Sequence, residues 1–431
     1  MTKKISVPRG TSDVLPANAP AWQKLDLQSR QLFRTYNYKE IRTPIFEETA
    51  LFKRSLGSTS DVVNKQLLEL VSSKEEGYSL RPEGTASVVR SYLENSIDRT
   101  ETLTKFFYIG PMFRGERPQK GRLRQFHQIG AEVLGSASKS PYVDADVIVL
   151  ALDLLKAIGL KEYQLKINTL GKQEDKENFS RWLRDQLKEN KSSLCDDCQD
   201  RFERNIFRVL DCKRSECQSY VSKLDLSGAH LSVESQEYFT QVKNLLDQLE
   251  IKYVIDPKLV RGLDYYTHTV FEITASGLGS QDAIGAGGRY NTLVEQLGGS
   301  SKESIGAIGF SLGIERILLA LGEQEEGAKS SLDIFVVPMT ESLQGEGFLL
   351  MHQIRSLNLS CDMSYQIGSM KSLMRQANKS GSQYVIVLGE EEIANKEFVL
   401  KNMESGEQEK ILLKDINTLK EIIKPQTFNG M

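Results

Sequence analysis

The sequence has no run of about 18 uncharged apolar residues, the length a membrane-spanning helix requires. Its opening, MTKKISVPRGTSDVLP, places polar residues and prolines where a signal peptide would carry an apolar segment. The expectation is a soluble, cytoplasmic protein with no membrane partner. An excess of one charge is also missing: 55 Lys plus Arg stand against 58 Asp plus Glu, for a net charge of −3. That excludes a generally basic, DNA-coating protein, so any nucleic-acid partner must be met by local basic patches. No internal repeat is present. Disulfides are not required, because 431 residues suffice for roughly two or three domains of ~150 residues, each with its own core.

Four of the five cysteines cluster in CDDCQDRFERNIFRVLDCKRSEC, at Cys195, Cys198, Cys212 and Cys217. In a reducing compartment such a cluster reads as thiolate ligands for Zn2+ or as four ordinary thiols. The leading C-x2-C favours metal, while the trailing C-x4-C is looser than usual zinc spacing. A zinc ion there would be structural, since four thiolates leave no coordination position for substrate.

Along the chain, Trp22, Leu25, Leu32, Phe33 and Tyr36 recur at helical spacing, and YKEIRTPIFE follows as a strand broken at Pro44. Lys105 to Gly135 reads as a long antiparallel hairpin around a basic connection. Residues from about Thr169 to Glu250 are helical and charged, like an insertion, before strand character resumes at IKYVIDPKLV. After a Gly, Ser and charge-rich linker, DIFVVP, LSCDMSY and YVIVLG are short strands between helical stretches, the pattern of a small α/β domain.

Several stretches carry chemistry. On the return strand of the hairpin, Arg124, Phe126, Gln128, Gly130 and Glu132 share one face by the two-residue period. That face is either an ordinary solvent-facing one or part of a site. In the connection, Arg114, Arg117, Lys120, Arg122 and Arg124 are opposed only by Glu116, a density that suits polyphosphate or a nucleic-acid backbone. In SLRPEGTASVVR, Thr85 can cap a helix beginning near Ala86. Glu83 is then either a first-turn acid or an acceptor for an ammonium group. Gly285, Gly287 and Gly288 fail as a dinucleotide fingerprint, because the spacing is wrong and a strand through Tyr290 is expected where a helix should begin. Such glycines mark close approach of a backbone or ligand. In AIGFSLGIERILLAL, Arg316 near a helix start needs an anionic or aromatic receiver. LVRGLDYYTHTVFEI sets Arg261, Tyr265 and Tyr266 within a pair of apolar strands, with the two tyrosines facing opposite ways.

Together these segments resemble the histidyl-tRNA synthetase family of class II aminoacyl-tRNA synthetases. The helix and strand ending at Pro44 look like motif 1, FRGERPQKGRLRQFHQIGAEVLG like motif 2 and GFSLGIERILLAL like motif 3. LVRGLDYYT with GAGGRY is similar to the two signature peptides of the family. The implied fold is α+β: an antiparallel sheet flanked by helices over 1–325, a helical insertion over about 171–250, a linker at 322–331, an anticodon-binding α/β domain over 332–424 and a tail at 425–431. The implied activity joins histidine to ATP as an adenylate, with Mg2+, and then to the 3′ hydroxyl of tRNA(His), in a homodimer that binds no DNA.

The implied roles follow position by position. Arg261 and Arg114 meet the α-phosphate, Glu116 and Arg122 the rest of ATP, and Phe126 and Arg316 the adenine. Glu83 and Thr85 hold the α-amino group, while Gln128 and Glu132 face the substrate and Glu132 accepts from a ring nitrogen. Glu132, Tyr265, Tyr266 and Tyr290 form the imidazole pocket, with Tyr266 in direct contact. Arg261 and Glu132 are expected to open onto one cavity. The chain reads GRYNTL where the family usually has GRYDGL, so Asn291 replaces an acid but keeps an acceptor oxygen. The rival reading is a catalytically silent relative acting as a regulatory subunit or tRNA sensor. Another class II synthetase, of the prolyl or threonyl type, would share the C-terminal domain type but not RGLDYY.

Overall fold

The computed structural model describes residues 4–423 except 58–59, 61, 72–76, 227, 229, 262, 279–281, 300–304 and 323–331. The linker expected at 322–331, Gly322 apart, and the tail at 425–431 thus lie outside the described residues. The chain divides into two compact units near residue 325.

In the larger unit, α1 (Ala19–Thr35) leads to β1 (Lys39–Glu40), β2 (Phe46–Glu48), α2 (Thr49–Leu56), β3 (Leu68–Leu70), β4 (Tyr78–Leu80) and α3 (Thr85–Glu94). The hairpin strands β5 (Thr104–Phe113) and β6 (Gln125–Gly135) follow, then α4 (Pro141–Ile158) and β7 (Gln164–Thr169). Helices α5 (Gln173–Leu187), α6 (Asp196–Arg204), α7 (Phe207–Leu210), α8 (Ser215–Val221) and α9 (Val233–Gln248) come next. The unit closes with β8 (Val254–Ile255), β9 (Thr267–Thr274), β10 (Ala283–Arg289), α10 (Asn291–Gln296), β11 (Gly306–Gly313) and α11 (Ile314–Leu321).

Eight strands form one sheet in the order β1-β5-β6-β11-β10-β9-β7-β8. The six central strands pair antiparallel, and only the two-residue edge strands β1 and β8 pair parallel. The two-residue alternation sorts the sheet into two faces. Ile129, Ala131 and Val133 of β6, Ile308, Phe310 and Leu312 of β11 and Phe271 and Ile273 of β9 enter one core with residues of α1, α4 and α9. Each fully buried Val, Leu, Ile or Phe among them contributes about 1.5–3 kcal/mol. Residues between them in sequence, including Gln128, Glu272, Gly309 and Ser311, turn to the opposite face, where the cavity lies.

Local signals explain the ends of the elements. Asn37, at φ +59°, stops α1 in the left-handed region that favours Asn and Gly. Ser140 accepts from Tyr142 N to cap α4, Pro141 opens it, and Gly159 at φ +96° ends it. Three expectations need correction. YKEIRTPIFE is two short strands in different sheets, since β1 joins the large sheet while β2 pairs β4 in a three-stranded one; Pro44 removes a ladder donor between them. The described residues of 259–266 lie in neither strand nor helix, and β9 follows them. A short helix, α10, does follow the glycine strand β10. The glycines there nevertheless serve sheet packing: a side chain at Gly287 would meet Gly309 O and Phe271, and one at Gly285 would meet Leu312.

The smaller unit is a three-layer α/β domain. Strands β12 (Ile334–Pro338), β13 (Cys361–Met363), β14 (Tyr384–Leu388), β15 (Glu397–Asn402) and β16 (Gln408–Leu412) run in the order β13-β12-β14-β15-β16. Helix α12 (Gln344–Ser356) packs on one face through Leu350, Met351 and Ile354. Helix α13 (Met370–Ser380) packs on the other through Leu373 and Ala377.

Candidate active site

A cavity of about 920 Å³ opens on the sheet face opposite α4. Its wall contains Glu83, Thr85, Arg114, Glu116, Arg122, Phe126, Gln128, Arg261, Tyr265, Tyr266, Tyr290 and Arg316. The sequence had distributed these residues over more than 230 positions; the hairpin, the start of α3, the 259–266 loop and the β10 and β11 ends bring them together.

Glu132 departs from expectation. It is 1% exposed and stands behind the wall rather than in it. Tyr290 Oη donates to its Oε2 at 2.5 Å, Thr85 Oγ1 donates to its Oε1 at 2.7 Å, and Tyr108 Oη lies 3.4 Å away. Burial pushes this carboxyl up to about 8, with the hydroxyl hydrogen bonds opposing the rise. Gly309 makes room for it, because a side chain there would overlap the Glu132 carboxylate. This requirement for a glycine was not read from the sequence.

Glu83 serves as the helix cap that had been assigned to Thr85. Its carboxylate accepts from Thr85 N at 2.6 Å and Ala86 N at 2.8 Å, so α3 begins at Thr85 and the threonine hydroxyl is freed for Glu132. A carboxylate has about four acceptor positions, so the cap leaves capacity for a ligand donor. Gln128 donates from Nε2 to Ser311 Oγ at 3.2 Å, while its buried Oε1 has no partner. An unmatched buried acceptor on a cavity wall is a place for a donor.

Arg261 pairs with Glu272 at 2.7 Å and keeps a buried Nε without a partner. Glu272, an acid inside the apolar run VFEIT, is a site residue that the sequence reading overlooked; a charge in a buried strand was the available signal. Tyr265 and Tyr266 do not face opposite ways. Both line the cavity, with ring centroids 4.7 Å apart, because the irregular backbone there imposes no alternation. Burial raises Tyr265 and Tyr290 well above the ordinary phenol range and Tyr266 to about 12, so all three present neutral hydroxyls.

At the other end of the cavity, Arg114 donates from Nε to Pro82 O at 3.0 Å and holds its guanidinium 5.2 Å from the Phe126 ring centroid. Arg122 pairs with Glu116 at 3.2 Å. Arg316 donates to Gly121 O at 2.9 Å and to Ala283 O, so backbone carbonyls receive the cation that seemed misplaced at a helix start. Its neighbour Glu315, also unassigned from sequence, accepts from His127 N at 2.9 Å and pins the His127 ring. Behind the sheet, Arg289 is buried against Asp144 and donates to Asn291 Oδ1 at 3.1 Å; that oxygen also accepts from Ala307 N at 3.0 Å. The acceptor expected of Asn291 is therefore in use.

Residues 10–317 match the family model for histidyl-tRNA synthetase, and residues 333–422 match that for an anticodon-binding domain. The chain belongs to the histidyl-tRNA synthetase family. It is 43% identical to the histidine-tRNA ligase of Halothermothrix orenii over 96% of this chain and 98% of that one. It is 42% identical to the histidine-tRNA ligase of Pediococcus pentosaceus, over 98% of this chain and all of that one. The crystal structure of apo S. aureus histidyl-tRNA synthetase superposes with a TM-score of 0.79 at 35% identity, covering 98% of this chain and all of that one. The class II fold of the family, a sheet flanked by helices followed by an anticodon-binding domain, is thus the fold of this chain.

The four clustered cysteines also converge. All are buried, their sulfurs lie within 4.8 Å of one another, and Cys195 Sγ is 3.9 Å from Cys212 Sγ. Four sulfurs about 2.3 Å from a tetrahedral ion would be about 3.8 Å apart, so the donor set fits zinc in number, type and spacing. Among the described residues it is the sole group of three or more Cys, His or acidic ligands so placed.

Proposed function

We propose that this chain is a histidine-tRNA ligase. The observation that carries the reading is the convergence on one cavity of two arginines, Arg261 and Arg114, with the polar set Gln128, Thr85, Tyr266 and Tyr290. In the first step a carboxylate oxygen of L-histidine attacks the α-phosphorus of ATP. Pyrophosphate leaves with the electrons of the broken P–O bond, and histidyl-adenylate remains. Arg261 and Arg114 are fixed cations where negative charge builds on the α-phosphate, the placement expected to contribute most to rate. In the second step the 3′ hydroxyl of the terminal ribose of tRNA(His) attacks the acyl carbon and AMP departs.

Glu132 supports this pocket from behind. By accepting from Thr85 Oγ1 and Tyr290 Oη it turns both hydroxyl hydrogens inward, leaving oxygen lone pairs toward the cavity. Thr85, Glu83 and Gln128 Oε1 then accept from the α-ammonium, Tyr290 accepts from one ring N–H, and Tyr266 donates to the other ring nitrogen. A pocket of such groups rejects apolar amino acids, whose binding would leave them unpaired. Phe126 and Arg316 flank the adenine, with Tyr265 completing the pocket wall. Magnesium enters with ATP, and Glu116 and Arg122 stand on its side of the nucleotide.

A second hollow of about 650 Å³ in the motif 2 connection is lined by Arg9, Lys65, Arg117 and Arg122 with Glu116 as its acid. It suits the phosphates of the tRNA acceptor end, and the smaller unit suits the anticodon. The exposed apolar residues Ile45, Phe46 and Leu70 beside motif 1 suit a homodimer interface. We assign the four thiols a structural zinc ion and the protein to the cytoplasm; no described helix is long and apolar enough to cross a membrane. Amino-acid-dependent pyrophosphate exchange with all twenty amino acids tests the reading. Exchange with histidine alone is expected; exchange with proline or threonine selects another class II activity, and no exchange selects a regulatory relative.

A further inference from the structure

The four-thiol group and the amino-acid pocket lie on one continuous structure. Cys195 and Cys212 stand in the same cavity wall as Arg261. All four cysteines share one apolar cluster with Leu259, Val260, Tyr265 and Tyr266. No described residue from Val260 to Tyr266 lies in a strand or helix, so this part of the pocket has no sheet ladder to fix it.

Side chains of the insertion hold this loop, and its entry at Lys258, instead. Asn205, between the helices that carry Cys198 and precede Cys212, donates from Nδ2 to Asp264 Oδ1 at 2.5 Å. Gln218, next to Cys217, donates to the Cys212 carbonyl and accepts from Lys258 Nζ at 3.3 Å. From α5, Lys176 Nζ donates to the backbone carbonyls of Asp264, at 2.5 Å, and Tyr266, at 3.0 Å. Two of these three tethers leave from positions between or beside the cysteines. Short helices such as α7, of four residues, and α8, of seven, are marginal by themselves, and a tetrathiolate ion would fix their mutual placement.

We infer that a zinc-class ion at Cys195, Cys198, Cys212 and Cys217 positions the histidine-pocket loop, through Asn205 and Gln218, and so sets the affinity for the amino acid. The inference rests on the histidine pocket and the zinc assignment proposed above. The ion takes no part in the chemistry; Asn205 and Gln218 are positioning residues.

The test uses full-length protein purified without chelator, its metal content measured by mass spectrometry, and histidine-dependent pyrophosphate exchange. About one zinc per chain is expected, lost in Cys217→Ser and retained in Cys361→Ser. On losing the ion, KM for histidine should rise about tenfold, a typical magnitude for coupled sites, while kcat and KM for ATP change far less. Asn205→Ala should keep the zinc and reproduce the rise in KM, which guards against a misfolded cysteine variant. Wild-type protein without zinc overturns the metal site. Zinc loss that leaves KM for histidine unaltered, or an Asn205→Ala variant with unaltered KM, overturns the coupling and leaves the metal site standing. Absence of histidine exchange in the wild-type protein would instead refute the proposed activity.

Discussion

On the sheet side of the cavity, Gln128 of β6 and Ser311 of β11 are set by strand pairing over eight successive registers, and Phe126 pairs with Met112 of β5. On the loop side, Arg261, Tyr265 and Tyr266 hang from an irregular segment held by side chains of the insertion. The sheet wall draws its precision from the buried core behind it, where Ile129 beside Gln128 and Phe310 and Leu312 beside Ser311 are anchored. The loop wall draws it from a few polar tethers, any of which a single substitution removes. The difference is one of support: the sheet wall is fixed by strand pairing, whereas the tethered loop carries both the proposed imidazole contact, Tyr266, and the proposed catalytic cation, Arg261.

The sharpest way to break that comparison is Arg261→Ala. If the loop wall delivers the transition-state cation, adenylation should fall by about 10²–10³-fold, while histidine affinity measured by equilibrium binding stays within about twofold. An unchanged exchange rate would put the cation elsewhere, with Arg114 the obvious substitute.

The sheet wall makes the opposite prediction. Gly309→Ala places a methyl group against the Glu132 carboxylate and the Ala131 carbonyl, and overpacking of this kind costs about 1–3 kcal/mol. Folding stability should fall by that amount, and because Glu132 orients Thr85 and Tyr290 the damage should also appear as a raised KM for histidine, with little change in KM for ATP. Equal losses for the two substrates would mean that the wall is not selective.

These contrasts also mark how far the sequence was legible. Strand alternation placed Phe126 and Gln128 correctly because β6 is long and regular, and the arginine density of the motif 2 connection pointed to phosphate. The same alternation misled at Tyr265 and Tyr266, where the chain leaves the sheet. Glu83 and Thr85 exchanged roles because a carboxylate can cap a helix from one residue outside it, which spacing does not distinguish from a threonine cap. Gly309 and Glu315 were silent: each acts on a partner, Glu132 or His127, more than 170 positions away in the chain. The family resemblance supplied the reaction, but not the placement of Glu132 behind two hydroxyls.

A subtler test of the sheet wall uses pH. Glu132 is raised by burial from its ordinary 4.5 to about 8. Its ionised form offers Thr85 and Tyr290 two strong acceptors, whereas protonation turns one oxygen into a donor and weakens both bonds, so KM for histidine should fall as pH rises from about 7 to 8.5, a range in which the free imidazole is already neutral. Glu132→Gln should abolish that dependence. Stability should show the opposite slope. Between 4.5 and about 8 the folded protein keeps a proton on Glu132 that the unfolded chain has released, so the folded state loses stability as pH rises through this window. In thermal melts the Gln variant should lack that contribution, whereas a variant on the loop wall should retain it.

The smallest effect is expected behind the sheet, at Asn291. Asn291 Oδ1 already accepts from Arg289 Nη1 and Ala307 N, and Arg289 already has a buried carboxylate partner in Asp144. Asn291→Asp therefore adds a second charge to a cation that is satisfied, and the gain in attraction is offset by desolvating the new carboxylate beside the first. We expect stability to change by less than about 1 kcal/mol, read as a shift in urea midpoint, with exchange kinetics unaltered. A large loss of histidine affinity would show that Arg289 transmits charge through β10 to Tyr290.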